Sequence, residues 1–106
     1  MTEQQMVLTL ATKVMEWETR SEQSHFWLDS DGHLRPKSNW NPLHNIADAW
    51  QVVEKFESYM VWDIEGKHHA RLYYETTNWF YGYGDTVQEA ICNAGVSAAE
   101  QLLTQR

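Results

Sequence analysis

The chain is poor in cysteine, proline, glycine and basic residues, and it has no long apolar run. Each shortage removes a class of protein. A lone cysteine, Cys92, cannot form an intramolecular disulfide, so a disulfide-stapled secreted scaffold is excluded. Two prolines and five glycines among 106 residues leave no collagenous or low-complexity tract, and no repeat or linker interrupts the chain. No apolar stretch approaches the ~20 residues that cross a bilayer. Met1 to Gln5 lacks the basic start and apolar run of a signal peptide, so the expected compartment is the cytoplasm. Eight Lys and Arg stand against fifteen Asp and Glu, for a formal charge of −7. A general nucleic-acid binder needs a basic face to neutralise phosphates, so direct nucleic-acid binding is not expected, nor is docking on anionic lipid. Acidity suits a mimic of DNA, but the basic residues are scattered among the acids, which reads as solvated surface charge.

Aromatic residues are abundant: six Trp, five Tyr and three Phe. Each can bury about 150–250 Å², enough to build one modest core in a chain of this size. One domain over 1–106 is expected. Met6, Val7, Leu10, Ala11, Val14 and Met15 recur at three- and four-residue spacing and predict a helix over 3–18. His25 to Leu28 enters a hairpin at Asp29-Ser30-Asp31-Gly32, where Asp-Gly favours a type I′ turn, and a short return strand around His33-Leu34-Arg35 ends at Pro36. Asn45 is a candidate N-cap for a helix from Ile46 to about Tyr59, with Ile46, Trp50, Val53 and Phe56 on its buried face and Asp48, Gln51 and Lys55 wet.

Met60 to Glu65 alternates, with Met60, Trp62 and Ile64 on one side. Gly66-Lys67 turns into the strand 69–75, and Thr76-Thr77-Asn78 turns again into 79–83. The last two strands carry bulky residues at both parities. Either helices cover both faces of the sheet, the plainer expectation, or one face displays aromatic rings. Thr86-Val87-Gln88-Glu89 is a capping box that opens a helix to about Leu103, burying Ala90, Ile91, Ala94, Ala98 and Leu102. Gly95 inside that helix costs about 1 kcal/mol against Ala, which makes sense if Gly95, beside Ala94, Ala98 and Ala99, lets another backbone approach. That backbone belongs either to the chain's own sheet or to a second subunit, with Gly95 and Ala99 as the self-association candidates. The class is α+β: helix, β-hairpin, helix, three-stranded antiparallel meander, helix.

Three stretches, Ala11-Thr12-Lys13-Val14-Met15-Glu16-Trp17, Asn45 to Lys55 (NIADAWQVVEK) and Gly84 to Ala94, fall in order with the Trp27 to Gly32 hairpin and Asn41-Pro42. Together they resemble the phage ABA sandwich family, small phage and prophage proteins of largely unassigned function. The resemblance spans nearly the whole chain and implies helices packed on β-sheet and a bacterial or viral origin, hence the cytoplasm of a bacterial host. It carries no catalytic residues to transfer. The Asn45–Lys55 block also has a structural account as a cap, a buried Trp50 and a polar outer face.

The residues offer little chemistry. Asp29-Ser30-Asp31-Gly32 lacks the further acid and the later Glu of a calcium loop and reads as a turn. His68-His69 point to opposite faces of a strand, so they do not share a metal, and no metal or cofactor site is expected. Cys92 beside Ile91 reads as a small hydrophobe rather than a nucleophile. No catalytic residue is assigned and no enzymatic activity is expected. The ligand-binding candidates are Arg71, Tyr73, Trp79, Tyr81 and Tyr83, a cation among rings suited to a nucleotide or its cyclic derivative. The leading expectation is a phage accessory protein that acts by binding a host protein, with counter-defence as one role. The alternative is a binder that sequesters a nucleotide-like molecule on the aromatic surface. Self-association is compatible with both.

Overall fold

Small residues on one side of a meander let helices settle there, and that choice sets the architecture. The computed structural model describes residues 1–19, 24–75 and 78–101. In chain order it contains helix α1 (Glu3–Thr9), a π-helical turn (Leu10–Val14), strands β1 (Phe26–Leu28) and β2 (Leu34–Pro36), a 3₁₀ turn (Lys37–Asn39), helix α2 (Ile46–Val53), strands β3 (Ser58–Ile64), β4 (Lys67–Tyr74) and β5 (Asn78–Gly84), and helix α3 (Val87–Gln101). β1 and β2 form an antiparallel hairpin, and β3-β4-β5 form an antiparallel sheet in that order. The protein is α+β with the expected element order.

The first helix stops earlier than its apolar spacing implies. Leu10, Ala11, Val14 and Met15 are buried as expected, but Glu16 takes a left-handed φ of 60°. The Trp17 amide then donates to the Ala11 carbonyl at 2.9 Å. Beyond it the chain is extended, and Glu18 exchanges backbone hydrogen bonds of 2.9 and 2.8 Å with Leu28. Trp17 packs edge-on against Trp40 at 4.8 Å, with Arg35 over its ring. The polar stretch expected to break the helix includes 20–23, which lie outside the described residues.

The first hairpin turns differently from the expectation. Only Gly32 takes a positive φ, 83°. The Gly32 amide donates to the Asp29 carbonyl at 3.1 Å, and the Asp29 amide to the His33 carbonyl at 2.9 Å. This is a three-residue loop ending in a left-handed glycine. Its Asp29 carboxylate accepts the Asp31 and His33 amides at 2.9 Å each and Arg35 Nε at 3.0 Å. In the β3–β4 hairpin, Glu65 (φ 50°) and Gly66 (φ 82°) are the turn residues, and Lys67 already pairs with Ile64 in the ladder.

Helix α2 is capped by Asn45, whose side chain accepts the Asp48 amide at 3.1 Å, but it ends at Val53 rather than near Tyr59. Lys55 and Phe56 tighten the last turn, and the Glu57 amide reaches the Tyr73 carbonyl at 2.9 Å. Ser58 and Tyr59 are thereby drawn into β3, where pairing with β4 outweighs the helical pattern. The buried face is Ala49, Val52 and Val53, with Phe56 after it, while Trp50, expected there, is only half-buried and Ile46 is exposed. Asp48 and Gln51, expected to be wet, are half-buried: the Asp48 carboxylate accepts the Asn41 amide at 2.9 Å, and Gln51 accepts the Trp40 indole N–H at 2.9 Å. Both tie the preceding loop to the helix.

The core lies between the helices and one face of the sheet. Ala70, Leu72 and Phe80 meet Ala90, Ile91, Ala94 and Ala98 there. A methyl group added at Gly82 would lie 2.2 Å from the Ala94 amide nitrogen and 2.4 Å from the Ala90 carbonyl oxygen, so α3 rests directly on β5. Thr86 caps α3 through the Glu89 amide at 3.1 Å. The Glu89 carboxylate reaches back to the Asp85 amide at 3.2 Å, one residue before the cap. Leu102 and Leu103, assigned to this helix, lie outside the described residues.

Candidate functional site

Alternation in a strand sends successive side chains to opposite faces, and the observed register decides which residues meet. β3 and β4 pair Met60 with Arg71 and Trp62 with His69. β4 and β5 pair His69 with Tyr83, Arg71 with Tyr81 and Tyr73 with Trp79. Paired residues share a face, so Met60, Trp62 and Ile64, then Lys67, His69, Arg71 and Tyr73, then Trp79, Tyr81 and Tyr83 all point away from the helices. Among the described residues no helix or strand covers them. The expectation of cover on both faces is therefore corrected: the helices stand on one face and the other is open. Trp79 is 51% and Tyr83 58% exposed.

All five ligand-binding candidates, Arg71, Tyr73, Trp79, Tyr81 and Tyr83, lie on this face. Arg71 is at its centre, on the middle strand. Its guanidinium sits 4.3 Å from the Trp79 ring centroid and 6.0 Å from that of Trp62, both within cation–π range. Arg71 Nη1 donates to the Tyr73 hydroxyl at 3.5 Å, while its Nε is buried with no hydrogen-bond partner. Beside it the His69 ring stacks on Trp62 at 5.3 Å and 8° and shares a hydrogen bond with the Tyr81 hydroxyl. Tyr81 and Tyr83 stack at 6.1 Å and 26°. At one corner Lys67 is ion-paired with Asp85, which raises the lysine's proton affinity and holds the Asp85 carboxyl below its ordinary range.

The charges on the face oppose those of the whole chain. Its outward positions on the three strands, Ser58 included, carry Lys67, His69 and Arg71 and no carboxylate, although the chain has a formal charge of −7. Met60, Trp62, Ile64, Lys67 and His69 were not among the candidates. Strand alternation offered a signal for them: Met60, Trp62 and Ile64 recur at every second residue of β3, and Lys67 and His69 share the parity of Arg71 in β4.

The remaining candidates behave as structural parts. Gly95 and Ala99 are buried, and a methyl group at Gly95 would meet Leu10 at 2.8 Å and Val52 at 3.2 Å. The close neighbours of Gly95 are the π turn and α2 of the same chain, not the sheet, and neither residue is on the surface where a second subunit would need it. Cys92 is fully buried. Burial, with Glu89 nearby, pushes its thiol up to about 12, so it stays protonated and poorly nucleophilic. His68 and His69 point to opposite faces, as expected. Asp29, Asp31 and His33 lie close enough to share a cation, but Arg35 and two backbone amides already occupy the Asp29 carboxylate.

A family model described as the phage ABA sandwich domain matches residues 8–96. The chain belongs to the phage ABA sandwich family. A phage protein from Bacillus cereus ATCC 14579, solved as a crystal structure, is similar to it with a TM-score of 0.66 and 21% identity over 92% of each chain. At that identity the likeness shows a shared fold alone. No curated protein matches. No helix among the described residues of this phage ABA sandwich domain is long and apolar enough to cross a membrane.

Proposed function

We propose that this phage ABA sandwich protein acts by binding, without catalysis of its own, and that it holds a planar, negatively charged ligand of the nucleotide type on the open face of β3-β4-β5. One observation carries the reading: six rings share an uncovered face with the Arg71 guanidinium, which lies 4.3 Å from Trp79 and 6.0 Å from Trp62, and the outward strand positions of that face carry no carboxylate in an acidic chain. Exposed rings left open in water lose the burial that normally stabilises them. Bases stack on such rings, each stacked base contributing about 1–3 kcal/mol, and Arg is the side chain best shaped to meet phosphate. In a phage accessory protein, sequestering a nucleotide signal of the host would serve counter-defence.

A host protein is the second reading. It is favoured by exposed Met60 and Ile64 at the rim of the face, which would suit a broad apolar contact. One experiment separates the two. The full chain is captured from lysate of infected host cells, denatured, and its released small molecules and co-purifying proteins are identified by mass spectrometry. A nucleotide recovered from the native sequence and missing from the Trp79→Ala and Arg71→Gln chains supports the ligand reading. A host protein lost with the same substitutions, with no nucleotide released, replaces it with the second.

A further inference from the structure

The open face is longer than a single base requires. Trp79, Tyr81 and Tyr83 stand at every second residue of β5, so strand geometry spreads them over about 14 Å. The Tyr81 and Tyr83 centroids are 6.1 Å apart, nearly twice the ~3.4 Å rise between bases stacked in duplex DNA. A chain of nucleotides can lay one base on each ring only if its bases are splayed, as single strands allow and duplexes do not.

Arg71 adds the second element. Trp79 covers one side of its guanidinium, its Nε is buried without a partner, and no carboxylate among the described residues pairs with it. A half-buried cation with no counter-charge is held at an energetic cost that a phosphate laid against it would offset through short, charge-assisted hydrogen bonds. The third element limits length. Glu65 and Glu75 are exposed in the turns at the two ends of β4, so a strand running past the rings meets carboxylates.

Resting on the open-face reading, we infer that the ligand is a short single-stranded oligonucleotide. Two or three bases lie on Trp79, Tyr81 and Tyr83, and a backbone phosphate is held by Arg71. The net charge that excludes a general nucleic-acid binder is a property of the whole surface, and the open face departs from it over the length of about three nucleotides.

The test is calorimetric titration of the full chain with adenylate and uridylate series of one, three and twelve nucleotides, in ribo and deoxy form. The trinucleotide binds at least about tenfold more tightly than the mononucleotide, since each further stacked ring adds roughly that factor. The dodecanucleotide gains no more than its overlapping registers provide. Arg71→Gln and Trp79→Ala each weaken the trinucleotide about tenfold or more, while Arg71→Lys retains part of the affinity and circular dichroism shows all three variants folded. Equal affinity for one and three nucleotides overturns this inference and leaves a single-base site intact. A steady rise in affinity to twelve nucleotides beyond the register effect overturns the length limit. If no series binds at millimolar concentration, the nucleotide reading of the face fails as well.

Discussion

Gly82 shows how much of this molecule depends on single atoms. A methyl group there would enter the backbone of α3 at Ala94 and Ala90, and backbone cannot move aside as a flexible side chain can. Gly82→Ala should therefore cost about 3 kcal/mol, the upper end of ordinary overpacking, read as a lower urea midpoint. Asp29 acts through charge. The His33 amide is the main influence holding its carboxyl below the ordinary 3.8; burial opposes it, and Arg35 and the Asp31 amide add to it. A lowered folded-state value contributes stability that is present above the unfolded value and lost as pH falls through the folded one. The stability difference between the native chain and Asp29→Asn should thus be constant near neutrality and shrink below pH 3.8, measured by urea unfolding across pH.

At the scale of elements, the two faces of the meander should respond oppositely to substitution. Leu72 is fully buried, and Leu72→Ala should lose about 2–5 kcal/mol. Trp79→Ala and Tyr83→Ala remove half-exposed rings and should change stability by less than about 1 kcal/mol while abolishing most ligand binding. Thermal unfolding paired with titration checks both. Removing the cap of α3 with Thr86→Ala should cost about 1 kcal/mol with little effect on binding, because the hydroxyl accepts the Glu89 amide at the start of the helix. Element ends are where local pattern misled. The spacing of Ile46, Trp50, Val53 and Phe56 continues past the real end of α2, because the bond from Glu57 to Tyr73 connects residues far apart in the chain. The same holds for Glu16, where a left-handed residue stops the first helix with no glycine to announce it.

For the whole molecule, the separation of charge is the feature with consequences in solution. A ligand held by one phosphate contact at Arg71 should lose affinity with added salt at a log–log slope of about −1, and Arg71→Gln should flatten that slope. A slope several times steeper would mean that cations beyond the open face take part. The α+β class, the order of elements, the caps at Asn45 and Thr86 and the inward residues of the first helix are legible from periodicity and short-range chemistry, which need only neighbours a few residues away. Strand parity groups Trp79, Tyr81 and Tyr83 within β5 and Arg71 with Tyr73 within β4, but only the register between the two strands puts both groups on one face and Tyr74 on the other. Which face the helices would take was not legible, since bulky residues occur at both parities and periodicity is blind to what approaches from elsewhere in the chain. Ala70, Gly82 and Gly84 carry the clue: the covered face is the one whose side chains are small enough for the alanine side of α3 to lie against it. Close packing of helix on sheet made that choice, and in making it left the large rings, with Arg71 among them, facing outward.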